Sequence, residues 1–229
     1  MISVIIPALN EAENILKAIE SVRQQGQQVE IIVVDGGSVD GTPEIADSHA
    51  TVISSPRGRA VQMNAGARHA SGDVLLFLHS DSVLASGALA QLQEMLENPR
   101  IAGGTFTSIF DVNNFWLRFY AFCSTIDWLC FRYGDQGIFV RRSIFEAMGG
   151  YAEIPLMEDI DLMRRLSKYG QRCLIRHYPV TTSARRFLEH GVVRQEALDV
   201  VLVCLWFVGV NPRTLAKWYT AHKGRQAKV

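Results

Sequence analysis

The sequence predicts an α/β fold built around a mainly parallel sheet. Three short apolar runs end abruptly in polar residues: Val4 to Ile6, Ile31 to Val34 and Val74 to Leu78. Continuous apolar runs of this kind are typical of strands buried on both faces. Segments of helical length separate them, as in βαβ units. Because ligands of open α/β sheets bind beyond the carboxyl ends of the strands, the polar residues there are candidate site residues.

Residues 1 to about 100 alternate regularly between strand and helix. The predicted strands are 2–6, 29–35, 50–54 and 73–78, and the predicted helices lie near 11–25, from Thr42 onward, within 57–70 and at 87–97. Thr42 and Pro43 suit the N-cap and the first helical position of the second helix. Ser86 is the expected cap of the last helix in this half.

The second half is less regular. We predict strands at 103–110 and 137–140, with an aromatic-rich helix or pair of helices between them at 114–131. A helix capped by Ser143 and ended by Gly149-Gly150 follows, and then a helix from about Glu158 to Gly170. An extended segment at 171–183 precedes two helices, near 190–208 and 212–222. The expected organisation is one main domain, residues 1–183, with a C-terminal helical extension, residues 184–229, packed on it.

Composition argues against several classes of protein. The 23 basic and 23 acidic residues give no overall positive field, so we expect no nucleic-acid partner, although Arg185-Arg186 is a local basic pair. The four cysteines form no C-x-x-C pair, which favours free thiols in a reducing compartment. No secretory signal pattern precedes Pro7, and the longest apolar stretch, 200–210, is too short to span a bilayer. These features predict a cytoplasmic protein.

Two segments of the first half suit nucleotide binding. Asp35 ends a strand and precedes a glycine-rich turn, where the backbone at Gly37 can approach a ligand and the carboxylate can accept hydrogen bonds from a base or ribose. A tight turn capped by Asp35 is the alternative. The turn matches neither the dinucleotide fingerprint nor the Walker A motif. Arg57 and Arg59 flank a glycine and could clamp a diphosphate, although surface arginines are common in loops.

The polar residues after the third apolar run suit a metal ion. His79-Ser80-Asp81 follows the run directly. Hard divalent cations prefer carboxylate and water ligands, and one or two protein carboxylates with phosphate oxygens normally suffice. Such a cation neutralises the charge that develops on a diphosphate leaving group. Asp81 is therefore the candidate metal ligand, and a simple loop cap is the alternative.

Three carboxylates are crowded at a predicted helix start, in Glu158-Asp159-Ile160-Asp161. Acidic residues stabilise a helix N-terminus, which is sufficient reason for them to be there. Crowding of like charges also raises the pKa of a carboxylate toward the range useful for a general base. Asp159 and Asp161 cannot share one helix face, so only one of them is expected to reach a site.

Taken in order, these segments resemble the inverting family 2 glycosyltransferases of the GT-A fold, and in particular a small bacterial subgroup of them. The resemblance spans residues 1 to about 170. The segments that carry it are SVIIPALNE at 3–11, VVDGGSVDGT at 33–42, GDVLLFLHSD at 72–81, GDQGIFVRR at 134–142 and MEDIDL at 157–162.

The resemblance implies a Rossmann-like nucleotide-diphospho-sugar transferase fold, with a mixed, mainly parallel sheet flanked by helices. It also implies a UDP- or GDP-sugar donor and hexosyl transfer to an acceptor that stays unknown. The matching positions place the nucleotide near Pro7, Ala8, Asn10, Glu11 and Asp35, the metal and diphosphate at Asp81, the base at Asp159 with Glu158 as its partner, and the acceptor near Asp135 and Gln136.

One position departs from the family pattern. The metal motif of the family is usually Asp-x-Asp, and His79 occupies its first position here. Imidazole is a poorer ligand for Mg²⁺ than for Mn²⁺. The expected cofactor is Mn²⁺ or Mg²⁺, with His79 either beside it as a ligand or hydrogen-bonded to the ribose or a phosphate.

Two other functions remain open. A sugar nucleotidyltransferase is also an α/β nucleotide-binding enzyme, but its first strand typically leads into a glycine-rich, cationic phosphate loop, and residues 7–11 contain neither a glycine nor a cation. A non-catalytic nucleotide-sugar-binding protein is the third reading, because of His79. For the apolar helix that contains residues 200–208, the alternatives are packing on the main domain, a homodimer contact, or peripheral contact with the inner face of a membrane.

Overall fold

The computed structural model describes residues 1–26 and 28–226, with side chains described through residue 219. The last residues of the predicted extension, 227–229, lie outside the described residues. The strands are β1 (Ile2–Ala8), β2 (Val29–Asp35), β3 (Thr51–Ser54), β4 (Val74–Phe77), β5 (Ser82–Leu84), β6 (Ile101–Phe110), β7 (Ile138–Arg141) and β8 (Gln171–Thr182). The helices are α1 (Ile15–Arg23), α2 (Thr42–Asp47), α3 (Arg59–His69), α4 (Ala88–Leu96), α5 (Phe115–Ser124), α6 (Arg142–Ala147), α7 (Glu158–Leu166), α8 (Arg185–His190), α9 (Val192–Phe207) and α10 (Pro212–Gln226).

Within the described residues, the eight strands form one mixed sheet in the order β3-β2-β1-β4-β7-β6-β8-β5. Strands β3, β2, β1 and β4 are parallel, and β7 is antiparallel to both β4 and β6. The register pairs Ala8 with Asp35, and Asp35 with Ser54. The carboxyl ends of the parallel strands therefore meet at one edge of the sheet, as the sequence predicted.

Helices cover both faces of the parallel half of the sheet. Val4 and Ile6 of β1 pack on one face in a cluster that includes residues of α1 and α4, whereas Ile5 packs on the other face with residues of α3, α6 and α7. Burial of both faces explains the continuous apolar runs. Gly66 lets α3 approach β1 closely, because a Cβ at this position would overlap the side chain of Ile5.

The C-terminal helices pack on α7. Leu202 and Val203 of α9 and Leu215 of α10 form a buried cluster with Met157 and Ile160. This cluster places α9 and α10 beside the three-carboxylate segment at the start of α7. The division at residue 183 stays a prediction. In the part of the chain that the structure describes, no helix is both long and apolar enough to cross a membrane.

Local differences from the predicted elements have simple causes. Glycines with positive φ, at Gly41 and Gly87, precede α2 and α4, so Thr42 is the first residue of its helix and Ser86 is not the cap. Ser143 lies inside α6, whose N-cap is Arg141. The predicted helix near 190–208 is α9, and the short helix α8, which ends at His190 before Gly191, was not predicted. Strand β5 was missed, because three residues are too few to show a periodic pattern.

Candidate active site

The strand ends form a cleft, which we call the strand-end cleft, of about 300 Å³. It brings together seven of the predicted site residues: Pro7, Ala8, Glu11, Arg57, Arg59, His79 and Asp81. They come from the ends of β1 and β4, from the segments that follow these strands, and from the loop before α3 and its first residue, Arg59. Gln62 also lines the cleft; its side-chain amide donates to the carbonyl oxygens of Ala8 and Val34, each at 2.8 Å, and so ties the ends of β1 and β2 together. Gln62 carries no motif signal in the sequence, and it was not among the predicted site residues.

Three other predicted nucleotide-binding residues build the neighbouring turn. The Asp35 carboxylate accepts hydrogen bonds from the backbone N–H groups of Gly37, at 2.9 Å, and Ser38. Asn10 has a φ of 55°, and its side-chain oxygen accepts from the backbone N–H of Val39 at 2.9 Å. Asp35 thus caps the turn, as the alternative interpretation of the sequence had it. A contact of Asp35, Asn10 or Gly37 with a nucleotide stays a prediction.

Asp81 lies where a cation would relieve electrostatic repulsion. Burial, and then the nearby carboxylate of Glu11, raise the pKa of Asp81. Glu11 itself pairs with Arg185 across 2.7 Å. Among the described residues, no group of three or more His, Cys, Asp or Glu side chains is arranged to hold a metal ion. The donor set at this corner is therefore one partly buried carboxylate with an imidazole two residues before it, which fits a cation that also binds phosphate oxygens.

His79 is half-buried, and its Nε2 atom is buried without a hydrogen-bond partner in the described structure. Burial, with the positive charges of Arg59 and Arg186, lowers the pKa of His79 well below its usual value, so the ring is neutral. A Cβ on Gly134 would lie 2.6 Å from this Nε2 and would overlap the Asp159 carboxylate. The backbone at Gly134 therefore lies close to both side chains, and only glycine fits there.

A second pocket, the carboxylate pocket, lies on the far side of His79. It has a volume of about 90 Å³, and Arg59 and His79 line both this pocket and the strand-end cleft. Asp135 and Asp159 line it, and each has one buried side-chain oxygen without a hydrogen-bond partner among the described residues. Buried polar atoms are nearly always paired in folded proteins. The unpaired oxygens of Asp135 and Asp159 can therefore accept hydrogen bonds from a polar ligand in the pocket.

Both carboxyl groups of this pocket have raised pKa values. Burial raises the pKa of Asp159 to about 7; Arg59 opposes the shift, and the charges of Glu158 and Asp135 add to it. Burial raises the pKa of Asp135 to about 6, with Arg186 opposing. A buried carboxylate that titrates near neutral pH is suited to accept a proton from a hydroxyl group.

Arg59 joins the two spaces. Its Nε pairs with Glu158 Oε1, and its Nη2 lies 3.6 Å from Asp159 Oδ2. The residue predicted to bind the diphosphate therefore also contacts the predicted base and its partner. The third carboxylate of the segment, Asp161, pairs instead with Arg164 and Arg165, at 2.9 and 2.7 Å. This separation agrees with the expectation that Asp159 and Asp161 have different roles.

Gln136 points away from the carboxylate pocket, unlike its neighbour Asp135. Its Oε1 accepts from Arg132 at 3.0 Å, and its Nε2 donates to the carbonyl of Phe131. Arg132 is 1% exposed and also donates to Thr105. Sequence reasoning missed Arg132, which carries no motif signal inside an aromatic segment. The contact of Gln136 with an acceptor stays a prediction.

Arg186 also lines the carboxylate pocket and pairs with Asp199 of α9 at 3.3 Å. The sequence showed it only as half of a local basic pair. Its position beside Asp135 depends on the folding of α8 and α9 against the main domain.

The sequence matches the family model described as glycosyl transferase family 2 over residues 3–152. The chain belongs to this family. A relative in Bacillus subtilis, the probable glycosyltransferase YdaM, is 30% identical over 210 residues, which cover 78% of this chain and 49% of the relative. This chain spans about half or less of the length of the first curated relatives it matches. The family match ends before α7, so the placement of Glu158 and Asp159 rests on the structure.

Solved structures show the same GT-A fold. A mannosyltransferase of Pyrobaculum calidifontis, PcManGT, in complex with GDP-Man and Mn²⁺ superposes with a TM-score of 0.64 at 21% identity, covering 80% of this chain and 56% of that chain. TarS of S. aureus in complex with UDP-GlcNAc gives a TM-score of 0.64 at 14% identity, covering 80% of this chain and 58% of that chain. At these identities the similarity concerns the fold.

Proposed function

We propose that the chain transfers a hexosyl group from a nucleotide-diphospho-sugar to an acceptor hydroxyl, with inversion at the anomeric carbon. The observation that carries the proposal is Asp159. Its pKa is raised to about 7, and it has a buried oxygen without a partner among the described residues. Its pocket also shares Arg59 and His79 with the strand-end cleft. A base and an open polar cleft thus lie on either side of one position where a sugar ring can react.

The strand-end cleft is the proposed donor site. It lies beyond the carboxyl ends of β1 and β4, where open α/β sheets bind their ligands. Arg57 and Arg59 supply positive charge for the diphosphate, and Pro7, Ala8 and Glu11 face the nucleotide. The GDP-Man and UDP-GlcNAc held by two proteins of the same fold support a donor of this class, a UDP- or GDP-sugar.

The proposed reaction is a single displacement. Asp159 accepts the proton of the acceptor hydroxyl while the acceptor oxygen forms a bond to the anomeric carbon. The bond from that carbon to the diphosphate oxygen breaks on the opposite face, and the nucleoside diphosphate leaves. Arg59 holds Glu158 and Asp159 in place through its guanidinium group, and neutral His79 is close enough to the same position to hydrogen-bond a sugar hydroxyl. Positioning and fixed charges supply most of the rate acceleration.

Asp81 would hold a divalent cation, Mn²⁺ or Mg²⁺, with His79 beside it. Such an ion neutralises the charge of a leaving diphosphate. The raised pKa of Asp81 beside Glu11 fits a site completed by a cation, and the Mn²⁺ of the mannosyltransferase of the same fold supports it. The cytoplasmic location, the peripheral membrane contact and the homodimer through the C-terminal helices stay predictions.

A thermal-shift panel of UDP-, GDP- and dTDP-sugars, each with and without Mn²⁺, tests the proposal. A ligand that binds the native state raises its melting temperature according to affinity and concentration. We expect one donor class to raise it, more strongly with the metal. Asp81→Ala should remove the metal-dependent part, whereas Asp47→Ala, at an exposed carboxylate of α2 outside the cleft, should retain it. The absence of a shift for every sugar nucleotide would contradict the proposal.

A further inference from the structure

A second cavity lies between α5 and α9, next to the carboxylate pocket. This α5–α9 cavity has a volume of about 70 Å³. The surface that lines it is almost entirely apolar and includes four aromatic rings, those of Phe119, Tyr120, Phe131 and Tyr133. None of its residues has a role in the donor site proposed above.

The α5–α9 cavity adjoins the carboxylate pocket. Tyr120, Tyr133 and Asp199 line both spaces. The rings of Tyr120 and Tyr133 stack on each other, with centroids 5.8 Å apart and planes at 25°, and both border the two spaces. Burial raises the pKa of both tyrosines, so both phenols stay neutral. A ligand whose hydroxyl reaches Asp159 can therefore extend along two uncharged rings.

The other end of the cavity opens on an apolar surface. Phe119 and Val200, which line the cavity, are 56% and 54% exposed. Phe115 and Phe122 occupy the same face of α5, one turn before and one turn after Phe119, and both are exposed. Contiguous exposed apolar surface is uncommon on soluble proteins and marks binding sites.

Two carboxyl groups, Glu196 and Asp199, also line the cavity, and Glu196 Oε1 is buried without a hydrogen-bond partner among the described residues. Asp199 already pairs with Arg186 and accepts a hydrogen bond from Gln195 at 2.8 Å. Burial, and then the charge of Asp199, raise the pKa of Glu196 to about 7. Below about pH 7 Glu196 is therefore mostly protonated, and in this form it carries no charge against an apolar neighbour.

We infer that the α5–α9 cavity binds an apolar chain carried by the acceptor, whose hydroxyl group then lies beside Asp159. This inference rests on the proposed function and adds the chemical class of the acceptor to it: an alcohol with an aliphatic or aromatic tail. The tail enters from the exposed surface of α5 and α9, and the reacting hydroxyl meets the donor sugar inside the carboxylate pocket.

Primary alcohols of increasing length, 1-butanol, 1-hexanol and 1-octanol, test the inference. Binding to the full chain is measured by ligand-observed NMR, in the presence of the sugar nucleotide that the thermal-shift panel selects. Each added methylene that becomes buried should tighten binding about fourfold until the cavity is full. Affinity independent of chain length would overturn the inference, and so would tighter binding of hexylamine than of 1-hexanol, which would indicate a cationic ligand at Glu196 and Asp199.

Two neighbouring valines provide a matched pair of variants. Val200 lines the cavity and Val201 does not, and they are 54% and 53% exposed, so a larger side chain at either is compatible with folding. Val200→Trp should abolish the dependence on chain length, and Val201→Trp should retain it. An equal effect of both variants would mean only general adsorption to the apolar surface and would overturn the inference. Donor binding, measured on the same samples, keeps the two proposals distinct, because it depends on the strand-end cleft alone.

Discussion

The two sides of the site use their polar groups in opposite ways. In the turn beside the strand-end cleft, the side-chain oxygens of Asp35 and Asn10 accept hydrogen bonds from backbone N–H groups of the turn. In the carboxylate pocket, Asp135 and Asp159 each keep a buried oxygen without a partner in the described residues, and both have raised pKa values. The two side chains of the turn therefore have a structural role, because their oxygens are already hydrogen-bonded within the protein. In the pocket the charged forms of the carboxyl groups are destabilised, and shifted pKa values of this kind are characteristic of catalytic groups.

The largest expected effect is the loss of Asp159. Asp159→Asn removes the proton acceptor but keeps the shape, so transfer should fall about 10²- to 10⁴-fold, while donor binding is retained. The measurement is the release of nucleoside diphosphate in the presence of an acceptor alcohol. Asp161→Asn is the matched control, because Asp161 lies on the same helix and pairs with Arg164 and Arg165 outside the pocket. Full activity of the Asp159 variant would exclude this residue as the base.

A substitution of Arg132 tests whether the segment 132–136, which contains Asp135 and Gln136, is held in place by the buried guanidinium group. Arg132→Met leaves Gln136 and Thr105 without their buried donor and should lower the free energy of unfolding by about 1–3 kcal/mol for each of the two acceptors. Chemical denaturation measures this loss. Arg118→Met, at an exposed arginine of α5, should have little effect. Equal stability of the two variants would show that the segment 132–136 is not held by Arg132.

The pH dependence of transfer tests the raised pKa of Asp159. The base must be deprotonated, and its pKa is about 7, so the rate should fall about tenfold for each pH unit below 7. Near pH 5 the loss should approach 100-fold. The charged groups of Arg59, Glu158 and Asp135 surround the Asp159 carboxyl. Arg59→Met should move the fall in rate to higher pH, because Arg59 favours the charged form of Asp159 and its loss raises the pKa further. A rate that is constant between pH 5 and 8 would contradict the assignment.

Asp135 and Asp35 should respond to the same substitution with opposite signs. A carboxyl whose pKa is raised from 3.8 to about 6 on folding stabilises the protein below pH 4, and this stabilisation is lost as the pH rises through 6. Asp135→Asn removes this cost and should increase the free energy of unfolding at pH 8 by on the order of 2 kcal/mol. Denaturant titrations at pH 4 and pH 8 measure it. A gain of equal size at both pH values would show that the charge is not its cause.

Asp35→Asn gives the smallest expected change. The amide retains one acceptor oxygen, but a hydrogen bond to a charged group is lost, so the free energy of unfolding should fall by about 1–2 kcal/mol at pH 8. Denaturant titrations of the Asp35→Asn and Asp135→Asn variants under identical conditions measure the difference between their free energies of unfolding. A stabilising effect of Asp35→Asn would contradict the contrast between the turn and the pocket.

Much of the fold was predictable because its signals are local. The apolar runs, the polar residues at their ends and the motifs of residues 3–81 indicated the parallel half of the sheet and the strand-end cleft. The second half was less predictable. Helix α8 was not predicted, because its six residues are too few to show a periodic pattern, and β5 exists only because Ser82–Leu84 pairs with β8.

The sequence by itself determined the family, the parallel strands and most of the cleft residues, because strand burial and strand-end position follow from the order of residues. Only the tertiary structure decided how Arg59 is used, which side chain Gln136 contacts, and that Arg186 reaches Asp135. Arg59 and Glu158, like Arg186 and Asp135, lie far apart in the chain and come together only through the packing of α7, α8 and α9. The contact of Gln136 with Arg132 spans only four residues, but it depends on the burial of Arg132 against Thr105 of β6. The raised pKa values have the same origin, because desolvation is a property of the surrounding fold and not of the motif.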